Sequence, residues 1–132
     1  MFGLLDISTS ALVAQRTRLD AIAANLANAE VRVDPKSPTA FSERVVEFAT
    51  GDPESGEEFG VHVAAITPRR AFRAVYAPND PNSDKGGNIW YPDIEPVSQQ
   101  ANAMLASRAY DANLAAIGAS KAMFDAALRI IA

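Results

Sequence analysis

Apolar residues recur at helical spacing in two stretches of the chain, one near each end. The first stripe has a leucine at every seventh position and one isoleucine, and consists of Leu5, Leu12, Leu19, Ile22 and Leu26. The second stripe advances in alternating steps of four and three residues, and consists of Tyr110, Leu114, Ile117, Lys121, Phe124, Leu128 and Ile131. These spacings are typical of helices that pair along a narrow seam. They predict helices at residues 6–28 and 96–131.

Residues that break helices lie between the two stripes. All eight prolines fall within residues 35–96, whereas alanine, the best helix former, is concentrated at both ends. Short hydrophobic runs and alternating patterns predict strands at residues 41–48, 60–66 and 71–76. Two polar segments, residues 50–60 and 78–92, are predicted to be a turn and a long irregular connection.

Polar residues mark the ends of the predicted helices. Asp6, or one of the hydroxyls of residues 8–10, is predicted to cap the first helix, and Asn25 and Asn28 are predicted to mark its end. Pro96 is tolerated in the first turn of the second helix. At 1.5 Å per residue the second helix would be about 50 Å long and the first about 35 Å. The longer helix is therefore expected to overhang the shorter one.

This pattern predicts an α+β fold. The N- and C-terminal helices pair as an antiparallel coiled coil, with a small irregular β-containing region between them. The predicted parts are residues 1–29, 30–96 and 97–132, and the two helices together form one domain. A fully buried leucine contributes only about 1.5–3 kcal/mol, and a narrow stripe leaves most of each helix uncovered. We therefore expect the two stripes, except Lys121 but together with Asn25 and Asn28, to be assembly interfaces that neighbouring subunits complete.

Composition and charge exclude several classes of protein. The formal net charge of -4 argues against binding to a nucleic-acid backbone. With one histidine and no cysteine, the chain lacks the ligands of a zinc site, and no metal or cofactor is expected. The longest uncharged stretch, between Glu95 and Arg108, is too short for direct membrane insertion. Because the first basic residue is Arg16, the start does not match a cleaved secretory signal.

The middle region contains two candidate reactive features. His62 lies between two valines in a strand pattern, where a half-exposed strand residue is expected rather than a catalytic base. Asp80, Asn82 and Asp84 have the spacing of a calcium loop, but Lys85 stands where that loop requires glycine. A turn whose Asn and Asp side chains bond their own backbone is therefore expected.

Trp90 and Tyr91 leave a second function open. Tryptophan and tyrosine dominate interface hot spots, so this pair either contacts a partner or covers the base of the helix pair. The alternative function is a monomeric helical-hairpin adaptor or a secreted regulatory binding protein. A small hydrolase built around His62 ranks last, because no nucleophile motif supports it. We expect no enzyme activity.

Three segments resemble one family of proteins. LDISTSALVAQRTRLDAIAANLANAE, residues 5–30, resembles the N-terminal signature of bacterial flagellar rod and hook proteins, in which a helix ends in an Asn-Leu/Ile-Ala-Asn-Ala run. YAPNDPNSDKGGNIWYPDIEPV, residues 76–97, and MLASRAYDANLAAIGASKAM, residues 104–123, resemble the C-terminal half of a short rod protein in this family. The resemblance covers about half of the chain.

The resemblance implies a structural protein of the proximal rod, the drive shaft of the flagellar basal body in the periplasm. It implies helical assembly through the terminal helices, which would line an export channel and transmit motor torque. The implied partners are other copies, neighbouring proximal and distal rod subunits and the inner-membrane ring junction. During secretion the implied partner is the flagellar type III export apparatus, which acts without a cleaved signal peptide.

Overall fold

Along the chain, four short strands lie between two long helices, one at each end. The computed structural model describes residues 2–51 and 59–131. It contains helix α1 (Phe2–Asn28), strands β1 (Glu43–Thr50), β2 (Val61–Arg69), β3 (Phe72–Tyr76) and β4 (Asn88–Pro92), and helix α2 (Pro96–Ile131). The α+β fold with paired terminal helices is confirmed, as are the bounds predicted for the second helix.

The two helices run antiparallel along each other. Asn25, near the end of α1, donates a hydrogen bond over 3.3 Å to Gln99 in the first turn of α2. The leucines of the first stripe (Leu5, Leu12, Leu19 and Leu26) are all half-buried. Helix α2 has 36 residues and α1 has 27, a difference of about 13 Å. The end of α2 therefore extends past the start of α1, as the sequence predicts.

Helix α1 begins earlier than its polar residues suggest. It starts at Phe2, so Asp6 and the hydroxyl residues at 8–10 lie inside the helix and the predicted cap is wrong. The hydroxyls of Thr9 and Ser10 donate instead to backbone oxygens of the preceding turn, at 2.8 Å in both cases. This local bonding lets a helix continue through serine and threonine.

Strands β1 and β2 form an antiparallel hairpin that lies along α1. Pairing runs from Glu43 opposite Arg69 to Thr50 opposite Val61, with a bulge after Glu47. The Val61 N–H donates to the Ser10 hydroxyl of α1 over 3.1 Å. The predicted strands at 41–48 and 60–66 are thus confirmed with shifted ends. The predicted turn at 50–60 falls largely at residues 52–58, outside the described residues.

A second hairpin contains a strand that the sequence did not predict. Strand β3 pairs antiparallel with β4, from Phe72 opposite Pro92 to Tyr76 opposite Asn88. The predicted irregular connection at 78–92 is therefore wrong over its last five residues. The backbone N–H groups of Gly86 and Asn88 donate to the Asp84 carboxylate over 2.8 and 2.9 Å. This turn reverses the chain so that β4 meets β3.

The buried part of the described chain is small and rich in alanine. Its buried hydrophobic residues are Ala14, Ala21, Ile22, Ala29, Ile89, Ile94 and Ala106. Alanine permits close approach of the helices but removes little apolar surface from water. Within residues 2–51 and 59–131, neither helix has the length and hydropathy together that crossing a membrane requires.

Candidate assembly surface

Helix α2 exposes large apolar side chains along its whole length. Those at least half exposed are Val97, Met104, Leu105, Leu114, Met123, Leu128 and Ile130. At 100° of rotation per residue, Leu105, Met123 and Ile130 share one side of the helix, while Leu114 and Leu128 lie on another. Helix α1 covers only the side that includes Ala106 and Ser120, which are buried. Helix α2 therefore presents large apolar residues on two sides that α1 leaves uncovered.

The predicted interface residues occupy three different environments. Ile22 and Asn25 are buried inside the single chain. Half-buried positions between or beside the helices are held by Leu5, Leu12, Leu19, Leu26, Asn28, Tyr110, Ile117 and Phe124. Leu114 and Leu128 face solvent, with 53% and 65% of their surface exposed. Ile131 ends α2, and its side chain lies outside the described residues.

Asn25 connects the end of α1 to strand β1. Its side chain is 1% exposed. Its Oδ1 accepts from the Arg44 backbone N–H over 2.8 Å, and its Nδ2 donates to the Arg44 carbonyl over 3.0 Å. The amide thus pairs with β1 as a neighbouring strand would. It closes one strand edge of the hairpin and fixes β1 against α1.

A buried polar network continues from Asn25 to the second helix. The Asn25 amide also donates to Gln99 Oε1, and Gln99 Nε2 donates to Glu43 Oε1 over 2.7 Å. The other carboxylate oxygen of Glu43 pairs with the Arg69 guanidinium of β2. We call Asn25, Gln99, Glu43 and Arg69 the amide network. It connects α1, both strands of the first hairpin and α2, and only Asn25 was singled out from the sequence.

Trp90 and Tyr91 are half-buried in β4. The Trp90 indole N–H donates to Asp84 Oδ2 over 3.0 Å, and the Arg73 guanidinium lies 5.4 Å from the centre of the Tyr91 ring. Both aromatic rings therefore have contacts within the chain. The Tyr76 ring at the end of β3 is far more exposed, at 74%. No spacing in the sequence distinguished Tyr76, because strand periodicity does not report which face is covered.

The segment that contains Asp80, Asn82 and Asp84 folds as a turn stabilised by its own side chains. Asp80 accepts from the Asn82 backbone N–H over 2.8 Å, which lowers the pKa of the Asp80 carboxyl. The Asn88 backbone N–H does the same to Asp84, lowering the pKa of that carboxyl, and the Trp90 indole adds to the effect. The turn interpretation of this segment is confirmed. The described residues bring together no cluster of three metal-ligating side chains.

His62 is a half-buried strand residue, as predicted. Its Nδ1 lies 2.8 Å from the Gly51 carbonyl oxygen across the hairpin. That contact holds the imidazole against the backbone just after the end of β1.

Comparisons with known proteins agree with this picture of a structural subunit. A family model described as "Flagella basal body rod protein" matches residues 5–32. A protein of Aquifex aeolicus is 37% identical over 126 residues, covering 95% of this chain and 92% of the relative. A Salmonella typhimurium relative is 34% identical over 93% of this chain and 92% of its own length. A Bacillus subtilis relative is 31% identical over 98% of this chain and 97% of its own length.

The paired terminal helices, their exposed apolar surface and the matched N-terminal signature together define a flagellar basal-body rod protein, a structural subunit of the basal body. All three relatives carry the name flagellar basal-body rod protein FlgC. The chain belongs to this FlgC family, because identity of 30% or more extends over nearly its whole length.

Proposed function

We propose that this chain is a subunit of the proximal rod, which assembles into a helical tube through its two terminal helices. The exposed apolar surface of α2 is the observation that supports this assignment. A tube places each subunit between neighbours on several sides, which fits apolar residues on more than one side of one helix. Head-to-tail contacts that do not close into a ring generate such open assemblies. The bundled helices would enclose an export channel and transmit motor torque.

The predicted interface residues have two functions in this proposal. Buried and half-buried members of the stripes, such as Ile22 and Leu19, hold α1 against α2 within a subunit. Exposed members, Leu114 and Leu128, contact neighbouring subunits. Residues 1–29 and 97–132 would form one inner domain, and the two hairpins of residues 30–96 would lie outside it.

A monomeric adaptor or secreted regulator has less support. Such a protein needs one binding patch, whereas exposed apolar residues are spread from Val97 to Ile130, along about 50 Å of α2. The candidate anchor of the adaptor, Trp90, is half-buried and its indole N–H is bonded to Asp84. The proposed partners are therefore other copies, adjacent rod proteins and the inner-membrane ring junction.

The proposed location is the periplasmic part of the basal body. The flagellar type III apparatus would export the chain without a cleaved signal peptide. We propose that the subunit is purely structural and catalyses no reaction, because the one histidine is held against a backbone carbonyl.

Replacement of Leu114 by aspartate tests the proposal. In a strain that lacks its own copy of the gene, the wild-type chain should restore swimming and the Leu114→Asp variant should not. A charge would be buried at a subunit contact without a partner. Because Leu114 is 53% exposed in the single chain, folding should be retained. The exposed Gln100→Asp variant is the matched control.

Electron microscopy of basal bodies and light scattering complete the experiment. Basal bodies from the Leu114→Asp strain should lack a complete rod, while those from the control strain should have one. Normal rods in the Leu114→Asp strain would contradict the proposed surface. A purified wild-type chain that stays monomeric at every concentration and does not restore swimming would favour the adaptor.

A further inference from the structure

A polar cleft lies between the segment that follows α1 and the turn that precedes β4. Its volume is about 670 Å³. The lining comes from residues 32–36 of the first segment, and from Asn82, Asp84 and residues 88–90 of the second. All of these residues lie outside the two helices. The cleft is therefore separate from the exposed apolar residues of α2.

Hydrogen bonds fix the first of these two segments. The Val33 N–H donates to the Trp90 carbonyl oxygen over 2.9 Å, so the segment runs along the outer edge of β4. The Arg70 guanidinium, between β2 and β3, donates to the carbonyl oxygens of Pro35 and Ser37 over 3.3 and 3.1 Å. The cleft is thus formed before a ligand arrives, and less ordering opposes binding.

Trp90 contributes apolar ring surface to the cleft. Its indole N–H donates to Asp84 Oδ2 over 3.0 Å, so the one polar group of the ring is already bonded. The half-buried ring has only carbon atoms left to meet a ligand. Val33 and Ile89 add aliphatic carbon to the same lining. The C–H face of a sugar ring is apolar and packs well on a flat aromatic surface.

Two of the polar side chains that line the cleft are available to a ligand. Arg32 is paired with the Asp80 carboxylate at 3.2 Å. Lys36 and Asn88 use their backbone N–H groups in the local turns, whereas the Lys36 ammonium and the Asn88 side-chain amide make no hydrogen bond to the rest of the described chain. An ammonium donates three hydrogen bonds, and an amide both donates and accepts. Hydroxyl groups satisfy both.

We propose that this cleft binds a short neutral oligosaccharide. One sugar ring would pack on Trp90 while its hydroxyl groups bond to Lys36 and Asn88. A cleft of about 670 Å³ has the size of a small-molecule site. In the proposed rod, residues 30–96 would lie outside the inner helices, where such a ligand could reach the cleft.

The charges of the lining residues favour a neutral ligand. Two lining residues are basic, Arg32 and Lys36, and two are acidic, Asp34 and Asp84, so their formal charges cancel. An anion would lie near the two carboxylates, and a cation near the guanidinium and the ammonium. A hydroxyl-rich ligand avoids both costs and can donate to the carboxylates as well as accept from Lys36.

Fluorescence titration of the purified full-length chain tests the site. Trp90 is the one tryptophan, so its emission reports on the cleft directly. Two neutral trisaccharides, triacetylchitotriose and maltotriose, are added in separate titrations at neutral pH. At least one should change the Trp90 emission with saturation, reaching half of the full change at about 1 mM or below. Calorimetry with the same sugar should give the same affinity.

Two lysine variants locate the bound sugar. Lys36→Ala removes the ammonium from the cleft and should weaken binding about tenfold, the effect of one hydrogen bond to a charged group. Lys85→Ala is the matched control, because Lys85 follows Asp84 but does not line the cleft. It should change the affinity less than about twofold. Both lysines are exposed, so both variants should fold like the wild type, which circular dichroism checks.

Three results would overturn the proposal. The first is the absence of a saturating change with either sugar up to about 20 mM, where a site half-filled at about 1 mM would be nearly full. The second is equal sugar affinity in the wild type and both lysine variants, which would place the sugar outside the cleft. The third is saturable binding of inorganic phosphate with no binding of either sugar, which would identify an anion site. These measurements use the single chain, so the proposed rod function does not depend on their outcome.

Discussion

Gln99 Nε2 in the first turn of α2 donates a hydrogen bond to Glu43 Oε1 at the start of β1, over 2.7 Å, with both side chains buried. This bond connects the first hairpin directly to the second helix. Hydrogen bonds are directional, so a buried amide and carboxylate specify one orientation more strictly than apolar contact would. The amide network therefore sets how the hairpin is oriented on the helix pair.

Replacement of Gln99 by leucine should destabilise the fold strongly. The variant removes two hydrogen bonds and leaves the Glu43 carboxylate and one N–H of Asn25 without their buried partner. Losing one member of a buried network costs about 2–4 kcal/mol. Urea unfolding of the purified chain, followed by circular dichroism, measures the change. Gln100→Leu, at an exposed neighbouring position, should change the free energy of unfolding by less than about 0.5 kcal/mol.

Asn25→Asp tests the amide network from the other helix. The new carboxylate keeps an acceptor for the Arg44 N–H but faces the Arg44 carbonyl and Gln99 Oε1 with no hydrogen to donate. A buried charge facing oxygen atoms should lower the free energy of unfolding by about 2–4 kcal/mol. Asn79→Asp makes the same chemical change in an exposed turn. Equal thermal unfolding of the two variants would contradict the role assigned to Asn25.

Periodicity predicted the helices, and it could not predict the amide network. The stripes required only local spacing, so the leucines of α1 were correctly placed on one side. Asn25, by contrast, bonds to residues 19 and 74 positions away, and Gln99 to one 56 positions away. Side-chain partners at such separations are determined by tertiary packing. The one sequence signal for the amide network was the polar residue Asn25, which directly precedes Leu26 of the first apolar stripe.

Strand β3 was predicted at residues 71–76, but its partner β4 was missed for a different physical reason. Residues 88–92 follow two glycines and end in proline, a composition typical of loops. The Asp84 carboxylate accepts bonds from the backbone N–H groups of Gly86 and Asn88 in the turn before β4, and that composition does not reveal these contacts. The exposure of Met123 and Ile130 on α2 could not be predicted either. The apolar periodicity of an alanine-rich helix is too weak to show which side is covered.

The Asp84 turn should loosen in acid. The pKa of the Asp84 carboxyl is lowered from 3.8, chiefly by the hydrogen bond from the Asn88 N–H. The hydrogen bonds to the ionised carboxylate therefore stabilise the turn fully at pH values above 3.8. They are lost as the pH falls through the lower pKa of the folded chain. Trp90, the one tryptophan, donates to Asp84 and reports the change by fluorescence. A transition below about pH 4 is expected.

The Asp84→Asn variant provides the control for this titration. Its side chain has no proton to gain in acid, so the transition in Trp90 fluorescence should disappear. The Asp93→Asn variant, at an exposed carboxylate next to β4, should keep the transition. If Asp84→Asn titrates like the wild type, another group controls the loop.

Two glycine substitutions should change stability in opposite directions. Gly60 has φ of +96°, and a Cβ there would lie 2.9 Å from Ser10 Oγ. Moving that hydroxyl would break its bond from the Val61 N–H, so Gly60→Ala should lower the free energy of unfolding by about 1–3 kcal/mol. Gly118, inside α2, has open space around the same position. Gly118→Ala should raise the free energy of unfolding by about 1 kcal/mol.

Urea unfolding of both variants measures the two effects on one scale. Hydrogen exchange at the Val61 amide adds a local readout, since it should become faster in Gly60→Ala and stay unchanged in Gly118→Ala. The remaining control is Gly60→Ala combined with Ser10→Ala. Without the Ser10 hydroxyl, only the strain of the backbone conformation at Gly60 makes alanine unfavourable there. The cost of Gly60→Ala should therefore fall in the Ser10→Ala background. An unchanged cost would mean that the contact between α1 and the hairpin at Ser10 does not contribute.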